Sequence, residues 1–404
     1  MQTSMLSAAG GFTLLAVAGL TIMVGCILVP GLPEIAAALG VSHAAGWLIT
    51  LPSLGVVLGG PLAGKAIDRF GARNALQYGL FIYGLSGIAG MFCRGLPLVV
   101  IDRLILGGAT AIVMSSGTAL LAAFYHGQAR LTMIARQGMA IEFGGVIFLF
   151  ISGLLAVKDW RWPFVLYLLS WVILVMVRCW VPVAEEHISA EPSDNTAAAA
   201  GTPSLKGVLF AALMSMICFF TAVIVIPKQF YQAGIGASDT GYFLSMVSLV
   251  AVGAAALMPA VVKKISEPAT LWLAFLCYAA AFTLFALTVS LTGIILAGVL
   301  LGSGFGFSVP LVNHMTVSRS NQSNRGRRLA SLSMALFSGQ FLASFMAMLP
   351  GDSSITFAVT SGFSISGGGS AGGGEKNVGV TRWFSACDCL VLFPGATHPS
   401  ASSI

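Results

Sequence analysis

Charge is what this sequence has least of. Only 8% of its 404 residues are Asp, Glu, Lys or Arg, where a soluble domain carries roughly 25%. So few charges cannot cover a surface that faces water. A mean hydropathy of +0.92 therefore turns most of the surface toward lipid. Nucleic-acid binding is excluded on the same ground. It needs a basic face in polar surroundings, and here most basic residues stand singly between apolar runs. Metal-ligand spacing is also missing. Cys26, Cys93, Cys179, Cys218 and Cys277 sit in or beside apolar runs as small hydrophobes, and Cys387 and Cys389 form a C-x-C near the C-terminus. There is no C-x-x-C pair, no HExxH, no His/Asp cluster and no Gly-x-Ser-x-Gly. No cofactor, metal or enzymatic activity is expected. The first apolar run lacks the basic segment of a signal peptide, so it reads as an uncleaved first helix.

What is present is a succession of apolar runs of the length that crosses a bilayer, about 20 residues each. Eleven spans are expected: Phe12–Gly31, Ala45–Gly64, Ala75–Cys93, Leu98–Phe124, Ala135–Ala156, Pro163–Val181, Gly207–Phe230, Thr240–Val262, Thr270–Ser290, Thr292–His314 and Leu329–Leu349. The fold class is all-α and polytopic. Two pseudo-symmetric bundles are expected: six helices over residues 1–181, a cytoplasmic linker over 182–206, and five helices over 207–350. A short basic loop follows the second helix of each half, around Gly64–Arg73 and again around Ala260–Glu267.

Basic residues set the orientation. With the N-terminus in the cytoplasm, the loops on that side carry Lys65, Arg69, Arg73, Arg130, Arg136, Arg178, Lys206, Lys263, Lys264, Arg319, Arg325, Arg327 and Arg328. The opposite loops carry Arg94, Lys158, Arg161 and Lys228. A missed or invented helix would scramble this bias downstream.

From about Pro350 the composition changes. Ser361–Gly374 is almost all Gly and Ser, and Cys387–Pro394 is too short to span. Residues 351–404 are expected to be a disordered tail in place of a twelfth helix. Such a break fits a shifted reading frame, a truncation or a fusion.

The loop Gly64-Lys-Ala-Ile-Asp68-Arg69-Phe-Gly71-Ala-Arg73 resembles the loop motif of the major facilitator superfamily, with Asn74 where another basic residue is usual. Val29-Pro-Gly-Leu-Pro33 resembles the same region of bacterial drug and metabolite exporters. Asp102-Arg103-Leu-Ile-Leu-Gly107 is similar to the family's Arg-x-x-Gln-Gly pattern, with Leu106 in place of Gln. Trp160-Arg-Trp-Pro-Phe164 is similar to the start of its sixth helix. The resemblance spans about residues 10–350. It implies that Gly64, Asp68, Arg69, Gly71 and Arg73 form a gating motif that latches the two halves on the cytoplasmic face. One departure stands out: Gly144–Gly153 lacks the proline of the fifth-helix motif of proton-driven drug antiporters.

Ionisable groups inside apolar runs are costly and so informative. Glu142 is the only acid well inside a helix of the first half. It is a candidate for proton coupling, or else a structural partner of basic residues at the cytoplasmic mouth. Arg103 and Asp102 are further coupling candidates; an interfacial Arg is the alternative. Gln340 and Asn313 are cavity candidates, while His314 reads as interfacial. Gly302–Gly306 lies in an apolar helix and reads as a close-packing stretch. No Arg or Lys stands at mid-depth, which favours a lipophilic or cationic substrate. The expected function is proton-coupled efflux of a small organic compound by a monomeric antiporter in a bacterial inner membrane. Its partners are the substrate, protons and the lipid bilayer. An importer of a sugar or organic acid, or an inactive truncated product, are the other readings.

Overall fold

The computed structural model describes residues 6–125, 127–182, 205–288, 290–319, 325–349, 356–357, 359–362 and 364. The described residues contain helices and no strand. They are α1 (Ala8–Cys26), α2 (Leu32–Leu39), α3 (Trp47–Phe70), α4 (Ala72–Ala89), α5 (Leu96–Phe124), α6 (Gly127–Ala156), α7 (Trp162–Val165), α8 (Leu169–Trp180), α9 (Leu205–Gln232), α10 (Ala237–Ile265), α11 (Glu267–Leu287), α12 (Leu291–Ser318) and α13 (Arg325–Ala347). A 3₁₀ turn extends α4 to Phe92, and another joins α7 to α8. Eleven helical stretches among the described residues are long and apolar enough to cross a membrane. All eleven expected spans are found.

The first span, Ala8–Cys26, starts and ends earlier than expected. It ends at Cys26, and the Val29-Pro-Gly-Leu-Pro33 stretch starts a separate short helix, α2. Pro33 fits the first turn of a helix because a missing N–H costs nothing there. Gly40, at φ 74°, closes α2. Ile35, Ala36 and Leu39 are buried, so α2 is a separate packed segment and not a continuation of α1.

Lipid offers helices no hydrophobic reason to associate, so small residues at crossings and interhelical hydrogen bonds do that work. A Cβ at Gly55 of α3 would sit 2.5 Å from the Leu104 carbonyl oxygen of α5. Along α12, Gly302 and Gly306 admit α10, and Gly304 admits α11. The Gly302–Gly306 stretch is thus a packing surface, as its sequence suggested. Tyr83 donates to the Leu20 carbonyl at 3.0 Å. In the second half, Ser215, Tyr278 and Ser308 form a buried hydroxyl triangle with edges of 2.6, 3.1 and 3.3 Å. Large apolar side chains such as Phe12, Phe81, Leu249 and Leu276 face outward, as they must in lipid.

The halves repeat one another at their second turn. Gly71 between α3 and α4 has φ 78° and ψ 151°, and Ser266 between α10 and α11 has φ 80° and ψ 162°. This region is costly for any residue with a Cβ.

The expected tail needs correction. Thr356, Phe357, Val359–Gly362 and Ser364 are helical. They pack on the second half: Phe357 is fully buried against Phe282 and Phe285. Ser361 donates to the Ala279 carbonyl at 3.1 Å, and Ser364 lies 3.2 Å from the Cys218 sulfur. Only residues 361, 362 and 364 of the Gly/Ser-rich stretch Ser361–Gly374 are among the described residues. Thr360 and Ser364 satisfy themselves by donating one turn back along the helix, to Thr356 and Thr360, and Phe357 supplies the apolar contact. The second bundle therefore extends past residue 350. Most of the expected linker and the rest of the expected tail, including Cys387 and Cys389, lie outside the described residues.

Candidate functional site

The two halves meet along a seam built from three helix stripes. On α6, residues 142, 146, 149 and 153 recur at i, i+4, i+7 and i+11, so they share one face. That face meets α10: Ser245 donates to the Val146 carbonyl at 3.3 Å. A Cβ at Gly153 would stand 3.0 Å from the Gly241 Cα. Glu142 is on this stripe, one turn before Val146 and midway along α6. It is half-buried, and no hydrogen bond or ion pair to it is found among the described residues. Arg136 is exposed and contacts the Met133 sulfur at 4.0 Å, so it does not pair with Glu142.

The second stripe is on α13. Phe337 packs against α3, and Ser344, seven residues on, touches the hydroxyl of Thr50 on α3. Gln340 shares this face. It is 5% exposed, with its Nε2 2.9 Å from where a Cβ on Gly25 of α1 would stand. The third stripe is on α9: Phe220, Val223 and Ile224 are buried in the apolar core of the first half. Phe219 meets Phe305 of α12 in a tilted ring contact, 4.0 Å between centroids. Glutamate, glutamine and aromatic rings thus border one seam that carries no Arg or Lys on these stripes.

The seam is tightest at one end. Thr50 is in the first turn of α3, and Ser344 is in the last turn of α13. Gly25 and Gly153 are in the last turns of α1 and α6, and Gly241 is in the second turn of α10. In an up-and-down bundle all these positions are on the face away from the N-terminus. There the cavity between Pro30, Pro33, Glu34, Pro227 and Tyr231 is about 10 Å³, room for a single water.

Other candidates lie elsewhere. Asp102 and Arg103 are inside the first half. Arg103 is 1% exposed and donates to Asp102 through Nε at 2.9 Å and Nη2 at 2.6 Å. Its guanidinium covers Phe164 at 5.7 Å and Tyr167 at 5.9 Å, and presses on Gly90. This geometry supports a structural staple joining α4, α5 and α7. Removing one partner of a buried pair costs about 3–5 kcal/mol, because the other charge is stranded. Arg103→Met should therefore unfold far more easily in detergent, and Asp102→Asn/Arg103→Met should recover much of the loss. Equal melting temperatures for the single variant and the parent would contradict the staple.

Asp68 and Arg69 are exposed, and Gly64 and Gly71 face open space. Arg73 donates to the Arg178 carbonyl at 3.0 Å, within the same half. The loop makes no described ion pair with the second half in this conformation. Asn313 is exposed near the end of α12, away from the seam's tight end. Thr50 and Ser344 had no signal in the sequence. Hydroxyl residues in apolar helices commonly bond their own backbone one turn back, as Thr50 also does to Gly46 at 3.1 Å.

Residues 12–344 match the family model of the Major Facilitator Superfamily. The chain belongs to this superfamily. It is 26% identical over 366 residues to the uncharacterized MFS-type transporter YfiU of Bacillus subtilis (strain 168), covering 74% of this chain and 70% of that one. It is 30% identical over 152 residues to the lincomycin resistance protein of Streptomyces lincolnensis, covering 36% of this chain and 30% of that one. Among solved structures, a D-xylose-proton symporter superposes with a TM-score of 0.74 at 15% identity, covering 90% of this chain and 97% of that one. At that identity the likeness concerns the fold. Proteins of this superfamily are transporters, so the chain is an integral membrane transporter and not an enzyme.

Proposed function

We propose that the protein exports a small lipophilic or cationic organic compound in exchange for protons, with its N-terminus in the cytoplasm of a bacterial inner membrane. The observation that carries this reading is Glu142, an acid without an ion-pair partner among the described residues, on the stripe where the halves meet. A carboxyl there can hold a proton or a cationic substrate, and exchange of one for the other is antiport. Gln340 and the Phe219–Phe220–Phe305 rings offer a hydrogen bond and π faces, which suit a lipophilic cation. An organic anion would want Arg or Lys on these stripes. The partial likeness to a lincomycin resistance protein supports export.

The orientation rests on the thirteen-to-four bias of basic residues, and makes the tight end of the seam the outer one. The Asp68 loop then lies on the cytoplasmic face, where its engagement with the second half would close the inner end.

The test uses the full chain in proteoliposomes with an imposed pH gradient. Ethidium or lincomycin should move against its own gradient, and a protonophore should stop it. Asp68→Asn should slow the movement without changing abundance. If neither compound responds while a sugar or carboxylate accumulates, the export reading is wrong.

A further inference from the structure

Three connections of the first half converge at the face away from the N-terminus, opposite the Asp68 loop. The end of α2 is bonded to the turn before α5: the Gly95 N–H donates to the Leu39 carbonyl at 2.9 Å, and Arg94 donates to the Ala38 carbonyl. Gly95 has φ 76°, which a residue with a Cβ rarely adopts. The connection from α6 to α7 brings Trp160 against this turn. The Arg94 guanidinium is 5.6 Å from the Trp160 ring centroid, and the Arg161 guanidinium is 4.8 Å from it. One indole ring thus draws two cations to itself. Lys158 is two residues before that ring, exposed.

The corner has more positive charge than it neutralises. Asp159 is the one acid between α6 and α7, and it is already engaged with Arg161. Its Oδ1 accepts from the Arg161 N–H at 2.8 Å, and its Oδ2 is 3.6 Å from Nη1. Glu34, one turn before Ala38 on α2, lines the small cavity of the seam instead. Arg94 and Lys158 make no ion pair among the described residues. Beneath these charges runs an apolar stripe. Trp162, Val165, Leu169 and Val172 follow one another at about one-turn spacing, and all are exposed. From Trp162 to Val172 a helix rises about 15 Å, half of a hydrocarbon core of roughly 30 Å and so the depth of one leaflet. An open groove of about 260 Å³ joins charge to stripe, lined by Asp159, Arg161, Trp162 and Val165.

We propose that this corner binds an anionic phospholipid, with the phosphate between Arg94, Lys158 and Arg161 and one acyl chain along Trp162, Val165 and Leu169. Three cations against one engaged acid call for a negative headgroup. The stripe below them favours a lipid over a soluble anion, because a free phosphate would leave the apolar wall of the groove unused. Basic residues at a membrane surface attract anionic lipids in this way, and Trp162 is where a tryptophan belongs, at the boundary between headgroups and chains. The bond from Arg94 to Ala38 gives the site a reach beyond itself. It holds α2, and α2 also packs on α9 of the second half. A lipid seated here braces the segment that touches both halves.

The test reads Trp162 fluorescence in the full chain in phosphatidylcholine vesicles, as the difference from Trp162→Phe in the same background. Brominated phosphatidylglycerol, added as a minor component, should quench it more strongly than brominated phosphatidylcholine at the same fraction. Two uncompensated charges at about fivefold each give the parent a preference of about 25-fold for the anionic lipid. Lys158→Gln, in an exposed connection, should lower the preference to about fivefold, and Arg94→Gln/Lys158→Gln to about one. Arg94→Lys should keep it, because the charge is kept. Lys263→Gln/Lys264→Gln, at the opposite face, should leave it unchanged. Equal quenching by the two lipids in the parent, or an undiminished preference in Lys158→Gln, would overturn the proposal. Relief of the quenching by glycerol phosphate in the water phase would overturn it in favour of a soluble anion.

Discussion

A chain carrying Thr50→Cys and Ser344→Cys, with the native cysteines replaced by alanine, should lose transport on oxidation and regain it on reduction. The two hydroxyls touch, both residues are fully buried, and they belong to opposite halves. Gly46, before α3, is already hemmed in by Ile224 and Ser344. A disulfide needs sulfurs about 2.05 Å apart on Cβ atoms about 3.8 Å apart, so it fits only while this end of the seam is shut. A transporter that must open here once per cycle cannot turn over with the bond in place. The milder pair Thr50→Val and Ser344→Ala removes one hydrogen bond without leaving a polar orphan. It should shift the equilibrium toward the form open at this end by about 0.5–1.5 kcal/mol, roughly 2- to 12-fold. Full transport by a demonstrably cross-linked protein would show that the halves do not part at Thr50.

Glu142→Gln should uncouple transport from the proton gradient. Glutamine keeps the shape and hydrogen-bonding capacity of the side chain but cannot take up or release a proton. Coupling is a free energy shared between two ligands. Without the proton site, the steady-state substrate ratio across the vesicle membrane should fall to about 1. Downhill exchange of an uncharged lipophilic substrate should survive, because its binding does not draw on the carboxylate charge. Unchanged uphill accumulation in Glu142→Gln would rule the residue out as the coupling acid.

Much of this was legible in the sequence, because the bilayer imposes one length and one polarity on every span. The helix count followed from apolar runs alone. Glu142 stood out because an acid in such a run is expensive, and its stripe with Val146, Leu149 and Gly153 follows from helical spacing. Arg103 was equally conspicuous, yet its setting was not readable. Phe164 and Tyr167, which cover it, are about 60 residues away in the chain. Thr50 and Ser344 were invisible for the opposite reason: each hydroxyl is cheap by itself, and only the fold brings them together. The helical start of the stretch after residue 350 was not readable, because composition was weighed without neighbours. Phe357 finds its place only between Phe282 and Phe285, which are rings of a helix far upstream.

The contact of Gly153 with Gly241 has a mechanical consequence. At this crossing the backbones of α6 and α10 approach closely, flanked by the Phe150–Tyr242 ring contact and the Ser245 bond to the Val146 carbonyl. Such a crossing behaves as a bearing. A swing of one half against the other about this crossing then has to break contacts elsewhere along the seam, among them the hydroxyl bridge between Thr50 and Ser344.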